Sequence, residues 1–387
     1  MKKKVCVLTA TRAEYGLLKP VIQKLRSYES LDVRVVATGA HLSPEFGLTY
    51  KEIEQDGIPI DRKIEILLSS DTPSSISKSM GLALLGFADY FSELQPDLLV
   101  VLGDRYETLA VCCAAMNQRI PIAHLYGGET TEGAVDEAYR HAITKLSNLH
   151  FTSTEQYRKR VIQLGEDPSR VFNVGALGVE NIMKEPLLSK QELEKSLGFS
   201  LGERYIVVTY HPVTLETESS EVGFKALLEA LDAFPDLGIL FTKANADADG
   251  RIINELMKAY VSCRSNAIAV ASLGMKRYLS AVKHSAAVIG NSSSGIVEVP
   301  SLHVPTVNIG DRQKGRLMAD SVINCKPITK DIADALHYAL SQDGKNKADS
   351  THNPYGGDDV SSKIVYVLNK FLSSVAVDLK KSFYDLQ

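Results

Sequence analysis

The 387-residue chain has few cysteines, no excess of basic residues and no long apolar run. Its five cysteines (Cys6, Cys112, Cys113, Cys263, Cys325) include no C-x-x-C and no paired spacing. That excludes a disulfide framework or a cysteine-built zinc site and fits small buried thiols in a reducing compartment. With 43 Lys and Arg against 47 Asp and Glu, the net charge is −4, so the global footprint of a nucleic-acid binder is missing. No apolar run approaches the ~18 residues of a membrane span, so no membrane partner is expected. Lys2-Lys3-Lys4 followed by Val5 to Leu8 superficially resembles a signal peptide. The apolar run is too short, and Arg12 and Glu14 follow at once, so the segment reads as a first strand and the protein as cytoplasmic.

Several motifs are also missing. No G-x-G-x-x-G follows a strand, so no tightly bound nicotinamide cofactor is expected. Neither H-E-x-x-H nor G-x-S-x-G occurs, so no metal and no hydrolase nucleophile elbow are expected. Hydrophobic residues at 44% and charged residues at 23% are those of a globular protein, not a disordered, collagen-like or coiled-coil chain.

Short apolar runs alternate with amphipathic segments. Expected strands are Val5–Thr9, Val33–Thr38, Asp97–Leu102, Ile122–Tyr126 and His150–Ser153, then Tyr205–Thr209, Gly238–Thr242, Ala267–Val270, Ala286–Ile289 and Thr306–Ile309. Helices are expected between them, among them Leu17–Ser27, Ile76–Leu94, Tyr106–Asn117, Asp136–Leu146 and Lys190–Leu197. This alternation predicts an α/β chain of two Rossmann-like, doubly wound domains facing a cleft. The boundaries read as 1–180 for the first domain and 190–373 for the second, with a helix at Ser361–Ser373 closing the second. The tail 374–387 either stays there or crosses back to the first.

Open parallel sheets bind ligands just beyond their strand ends, so those residues come next. After the first strand, Arg12 could hold an anion. His41 follows the second. Gly103-Asp104-Arg105 follows Asp97–Leu102, where Asp104 is either an acid/base group or merely the cap of the next helix. Beyond Tyr126 lies the Gly-rich run Gly127-Gly128-Glu129, then Asp136 and Arg140 one helical turn apart. Carboxylates beside an Arg form either an acid/base constellation or a helix-end ion pair. In the second half His211 ends a strand, and Asn245 lies in the loop after Gly238–Thr242. Gly290-Asn291-Ser292-Ser293-Ser294-Gly295 sits where a helix begins, which suits a diphosphate. Glu298 would accept from sugar hydroxyls, and Arg312 lies in a basic loop after Thr306–Ile309.

TRAEYG (11–16), GDRYE (103–107), GGETTEGAVDEAYRHAITK (127–145), HPVT (211–214), GNSSSG (290–295) and NIGDRQKGR (308–316) together resemble the hydrolysing UDP-N-acetylglucosamine 2-epimerases of sialic- and legionaminic-acid biosynthesis. So does the stretch from Thr152 to Asn181. The resemblance implies the glycosyltransferase-B arrangement, a UDP-sugar substrate, UDP as product, a homo-oligomer (dimer or tetramer) and a role in surface-polysaccharide precursors. It implies that Arg12, His211, Asn245, Ser292, Ser293, Glu298 and Arg312 hold UDP. Asp104, Glu129 and Asp136 would then work at the sugar, with Arg105 and Arg140 nearby. Relatives carry Glu or His before the Gly-Gly pair; this chain has Tyr126, which could instead donate to the sugar. UDP-N-acetylglucosamine is the expected substrate. UDP-N,N'-diacetylbacillosamine is the near alternative. A non-hydrolysing epimerase and a glycosyltransferase on the same fold stand further off.

Overall fold

The structure, a computed structural model, describes residues 2–68, 70, 72–132, 134–213, 220–243, 250–373 and 379–386. Among them the strands form two all-parallel sheets. The first comprises β1 (Lys3–Thr9), β2 (Leu31–Thr38), β3 (Ile60–Ile64), β4 (Leu98–Leu102), β5 (Ile122–Leu125), β6 (Leu149–Thr152) and β7 (Val171–Asn173), in the order β3-β2-β1-β4-β5-β6-β7. The second comprises β8 (Tyr205–Thr209), β9 (Gly238–Thr242), β10 (Ala267–Val270), β11 (Ala287–Gly290), β12 (Thr306–Ile309) and β13 (Val322–Cys325), in the order β10-β9-β8-β11-β12-β13. Both are doubly wound. The strand order reverses between β1 and β4, and again between β8 and β11, and such reversals open the crevice where ligands bind.

The central strands β1, β4 and β8 read as continuous apolar runs because helices cover both faces. In the first sheet, Val5, Val7, Leu98 and Val100 point into one core, while Cys6, Leu8, Leu99 and Val101 point into the other. The second sheet alternates likewise, with Ile206 and Val208 on one side and Tyr205 and Val207 on the other. No helix among the described residues is long and apolar enough to cross a membrane.

The compact units differ from the chain-order division into 1–180 and 190–373. The first unit contains residues 1–129, 136–180 and 355–387; the second contains 130–135 and 181–354. The helix Val360–Leu372, expected in the second half, therefore belongs to the first. Its apolar stripe of Ile364, Val365 and Leu368 packs into the core that Leu18, Val21, Ile22 and Leu25 of the Arg12–Arg26 helix also line. Ser361 fastens its start by donating from N and Oγ to the Glu180 carboxylate at 2.6 and 2.7 Å. Chain order does not reveal which sheet a 3.6-period stripe will cover.

The described tail residues lie in the first unit too. Lys381 Nζ donates to the carbonyls of Lys145 and Ser147 and pairs with Glu166 at 2.7 Å. Glu166, nearly fully buried, also takes Lys145 at 2.6 Å and His150 Nε2 at 2.9 Å. Although burial opposes it, those three donors draw the Glu166 carboxyl down to about 2. Tyr384 N–H adds a bond to the Gly165 carbonyl.

Candidate active site

The residues expected as acid/base groups lie beyond β4 and β5 of the first unit, with contacts that reach just past β6. Asp104 follows β4 directly. The cap of the Tyr106–Asn117 helix is Arg105, which makes no side-chain capping bond, so capping does not explain Asp104. Asp104 Oδ2 instead receives Arg140 Nη2. Arg140 is 1% exposed and among the largest fully buried side chains. Its Nη1 donates to the Glu129 carbonyl at 2.9 Å and to Glu137 Oε2. One buried guanidinium thus ties the loop after β4, the Gly-rich loop after β5 and the Asp136–Leu146 helix together. Glu129, also buried, accepts from Ser153 Oγ at 2.8 Å just past β6. Asp136 opens its helix, half-buried. Burial, then the charges of Asp136 and Glu107, raise the Tyr139 hydroxyl, which places those three groups in one neighbourhood.

Other expected site residues of this unit hold partners within the protein. His41 is fully buried, with Nε2 facing Thr9 Oγ1 at 2.9 Å and Nδ1 facing Thr49 Oγ1 at 2.8 Å. Burial lowers it to about 4, which favours the neutral ring as an internal hydrogen-bonder. Arg12, at the start of its helix, donates from Nε to Glu52 at 2.8 Å. Arg105 donates to Glu107 Oε1 at 2.6 Å. Tyr126 adopts a positive φ of 70°, and its hydroxyl accepts the Leu177 N–H at 2.8 Å. That bond anchors the start of the Leu177–Lys184 helix.

In the second unit, the turn after β11 gathers the expected UDP residues around one side chain. Asn291 is fully buried. Its Oδ1 accepts the His211 N–H at 2.7 Å and its Nδ2 donates back to the His211 carbonyl at 2.8 Å. Its own carbonyl accepts from Arg312 Nη1 at 3.1 Å and Gln313 Nε2 at 2.8 Å. Asn291 therefore joins the loop after β8, the serine turn and the basic loop after β12. Ser292 and Ser293 lie half-buried on that turn. The helix behind them is only Ser294–Val297, with Glu298 as its C-cap. Its dipole is accordingly small, which leaves the hydroxyls, N–H groups and Arg312 as the candidate anion donors. Beside the basic loop is an open cavity of about 730 Å³ lined by Asn308, Gly310, Lys314 and Arg316. Asn245 lies outside the described residues.

Gly290 permits the close approach of β11 to β8. Its φ is +140°, and a Cβ there would fall 1.9 Å from the Thr209 carbonyl oxygen. Gly290→Ala is expected to cost about 3 kcal/mol by forcing backbone apart in a packed sheet. Urea denaturation checks this; an unchanged midpoint contradicts it.

Sequence reasoning passed over three residues here. His124, on β5, is fully buried and sets Nε2 against the Gly103 carbonyl at 2.7 Å, so it braces the residue before Asp104. Glu107 and Asn291 sat inside motifs already singled out, GDRYE and GNSSSG, but only burial and partners separate them from their neighbours. Among the described residues no group of His, Cys, Asp and Glu is arranged to hold a metal ion.

Known proteins match along nearly the whole chain. The family model described as UDP-N-acetylglucosamine 2-epimerase matches residues 23–369. The GDP/UDP-N,N'-diacetylbacillosamine 2-epimerase (hydrolyzing) of Campylobacter jejuni is 44% identical over 386 residues, covering 100% of both chains. The polysialic acid biosynthesis protein P7 of Escherichia coli is 41% identical, covering 99% of this chain and 98% of its own. The UDP-N-acetylglucosamine 2-epimerase of Neisseria meningitidis serogroup B is 31% identical, with full coverage of both. A putative UDP-N-acetylglucosamine 2-epimerase from Listeria monocytogenes shares the fold, with a TM-score of 0.80 at 18% identity over 96% of this chain and 97% of its own. By this full-length match and by the strand-end motifs that shape its loops, the chain belongs to the UDP-N-acetylglucosamine 2-epimerase family.

Proposed function

We propose that the protein is a hydrolysing 2-epimerase that converts UDP-N-acetylglucosamine to free N-acetylmannosamine and UDP, and that this product feeds sialic-acid-type sugar synthesis. The observation that carries the reading is the buried Arg140, which gathers Asp104, Glu129 and Glu137 beside Asp136. Inverting C2 means breaking a C–H bond with no carbonyl beside it. Expelling UDP first puts positive charge on C1 and the ring oxygen and so acidifies the C2 proton. The C1–O electron pair leaves with UDP, a carboxylate takes the C2 proton, and a 2-acetamidoglucal remains. Water then gives hydroxyl to C1, and C2 receives a proton on the opposite face.

In this scheme Asp104, Glu129 and Asp136 serve as the acid/base groups at the sugar. Ser292, Ser293, His211, Glu298 and Arg312 hold UDP, with charge on the departing diphosphate met by preorganised donors. Arg12 joins them if it exchanges Glu52 for phosphate. The names of relatives that include "hydrolyzing" support release of UDP over its retention.

A second reading takes UDP-N,N'-diacetylbacillosamine as substrate, favoured by the 44% identical Campylobacter jejuni relative. Incubation with each nucleotide sugar and assay of released UDP separates the two. The first reading predicts at least about tenfold higher kcat/KM for UDP-N-acetylglucosamine, since a site built for a hydroxyl discriminates strongly against an analogue lacking it. The reverse ratio assigns the second, and release from neither removes both. Solvent deuterium at C2 of the free sugar tests the proton abstraction, which simple hydrolysis does not produce.

A further inference from the structure

Two carboxylates outside the proposed acid/base set lie where the strand order of the first sheet reverses. Glu14 follows β1 in the first turn of the Arg12–Arg26 helix. Its Oε2 accepts the N–H groups of Ala10 at 2.9 Å and Thr11 at 3.3 Å, closing a capping box with Thr11. Glu107 follows β4 in the first turn of the Tyr106–Asn117 helix, with Oε1 on Arg105 Nε. In each, the second oxygen is buried and has no hydrogen-bond partner: Glu14 Oε1 and Glu107 Oε2. The residues are 8% and 1% exposed.

Helix capping accounts for one oxygen of each carboxylate and leaves the other unexplained. A buried acceptor without a donor is costly, and native proteins rarely leave one unless something arrives to fill it. Here two occur together. β1 and β4 are neighbouring strands, and the groups sense one another: burial, then the charge of Glu107, pushes the Glu14 carboxyl up to about 7. Glu107 lies three residues after Asp104, and its charge acts on Tyr139 as that of Asp136 does, so it neighbours the proposed acid/base cluster. The loop after β2 closes the far side, where a Cβ on Gly39 would come within 3.4 Å of Glu107 Oε1.

The chemistry of these atoms selects the ligand group. Two acidic side chains repel a diphosphate and suit a hydroxyl, which both donates and accepts. If acid/base work takes place at C2 of a sugar, the ring neighbours of that carbon are C1, which bears the diphosphate, and C3. We infer that Glu107 and Glu14 are positioning residues at the C3 hydroxyl of the nucleotide sugar, which donates its proton to Glu107 Oε2 and accepts from a protonated Glu14 Oε1, and that they so present C2 to the acid/base cluster. The inference rests on the nucleotide-sugar reading above. It holds for either candidate substrate, because both carry a hydroxyl at C3.

The test uses the full-length protein, its Glu107→Gln and Glu14→Gln variants, and two probes, UDP-N-acetylglucosamine and its 3-deoxy analogue. Titration calorimetry gives Kd for UDP and for both nucleotide sugars, and UDP release gives KM and kcat. For Glu107→Gln we expect KM and Kd for the intact sugar nucleotide to rise about 10- to 100-fold, the range for a hydrogen bond to a charged group. UDP affinity should stay within about twofold. The wild type should lose a similar factor on the 3-deoxy analogue, and Glu107→Gln should lose little more on it. Glu14→Gln should show the same pattern with a smaller loss, because its amide oxygen stays on the Ala10 and Thr11 N–H groups and its NH2 still donates to the hydroxyl oxygen.

Equal losses in UDP and nucleotide-sugar affinity would mean a purely structural helix-end role and overturn the inference. So would additive losses from the variant and the deoxy analogue, or wild-type KM in both variants. If the wild type binds both nucleotide sugars but releases no UDP, the hydrolytic reading fails while the binding measurements still decide the inference. If it binds neither, both fall together.

Discussion

Asp136→Asn and Asp104→Asn should each slow UDP release by about 10²- to 10⁴-fold while leaving UDP affinity close to wild type. That range is typical for the loss of one positioned acid or base. The asparagine amide copies the shape of the carboxylate but accepts no proton. Asp136 is half-buried in the first turn of its helix. Asp104 has two jobs, as an acid/base candidate and as a partner of Arg140, so its variant should also lose some stability. Single-turnover UDP release with calorimetric UDP binding separates chemistry from binding. Near-normal release in both variants would show that the acid/base groups lie elsewhere. A collapse of UDP affinity in Asp136→Asn would instead make it part of the nucleotide clamp.

Which parts of this molecule were readable from sequence follows from burial. β8, β9 and β12 have the bounds their apolar runs predict, because a strand covered on both faces leaves an unbroken signal; β10, at a sheet edge, matches too through its short apolar run Ala-Ile-Ala-Val. The strands that pattern missed, β3, β7 and β13, are all at sheet edges. β3 reads Ile-Asp-Arg-Lys-Ile, with three exposed residues in its centre, which no apolar period marks. The strand-end rule pointed to Asp104, Glu129, Asp136, His211 and the serine turn, which lie beyond β4, β5, β8 and β11. It also proposed His41, which sits equally well at a strand end but turns inward to Thr9 and Thr49. Sequence position places a side chain near a crevice; only packing decides whether it faces in or out. For the same reason Asn291 and His124, which hold the loops in place, looked no different from their neighbours.

Arg140→Ala is expected to do the most damage of any single change. The side chain is fully buried, and removing it leaves the carboxylates of Asp104 and Glu137 and the Glu129 carbonyl without that donor. Breaking a buried pair from one side costs about 3–5 kcal/mol. For a unit of this size that corresponds to a fall in Tm of roughly 10 °C or more. UDP release should drop at least about 10³-fold, because two loops and a helix that carry the proposed acid/base groups lose their common brace and misplacement by an ångström is expensive in rate. Arg140→Lys should recover little. A lysine ammonium is a point charge on a flexible stem, whereas the two guanidinium nitrogens reach Asp104 on one side and Glu137 and Glu129 on the other at once. Thermal denaturation and UDP release on the same preparations decide the matter. A Tm within about 2 °C of wild type would deny Arg140 its bracing role. A stable variant with lost release would make it a direct participant at the sugar. Recovery of both by lysine would reduce its contribution to charge alone.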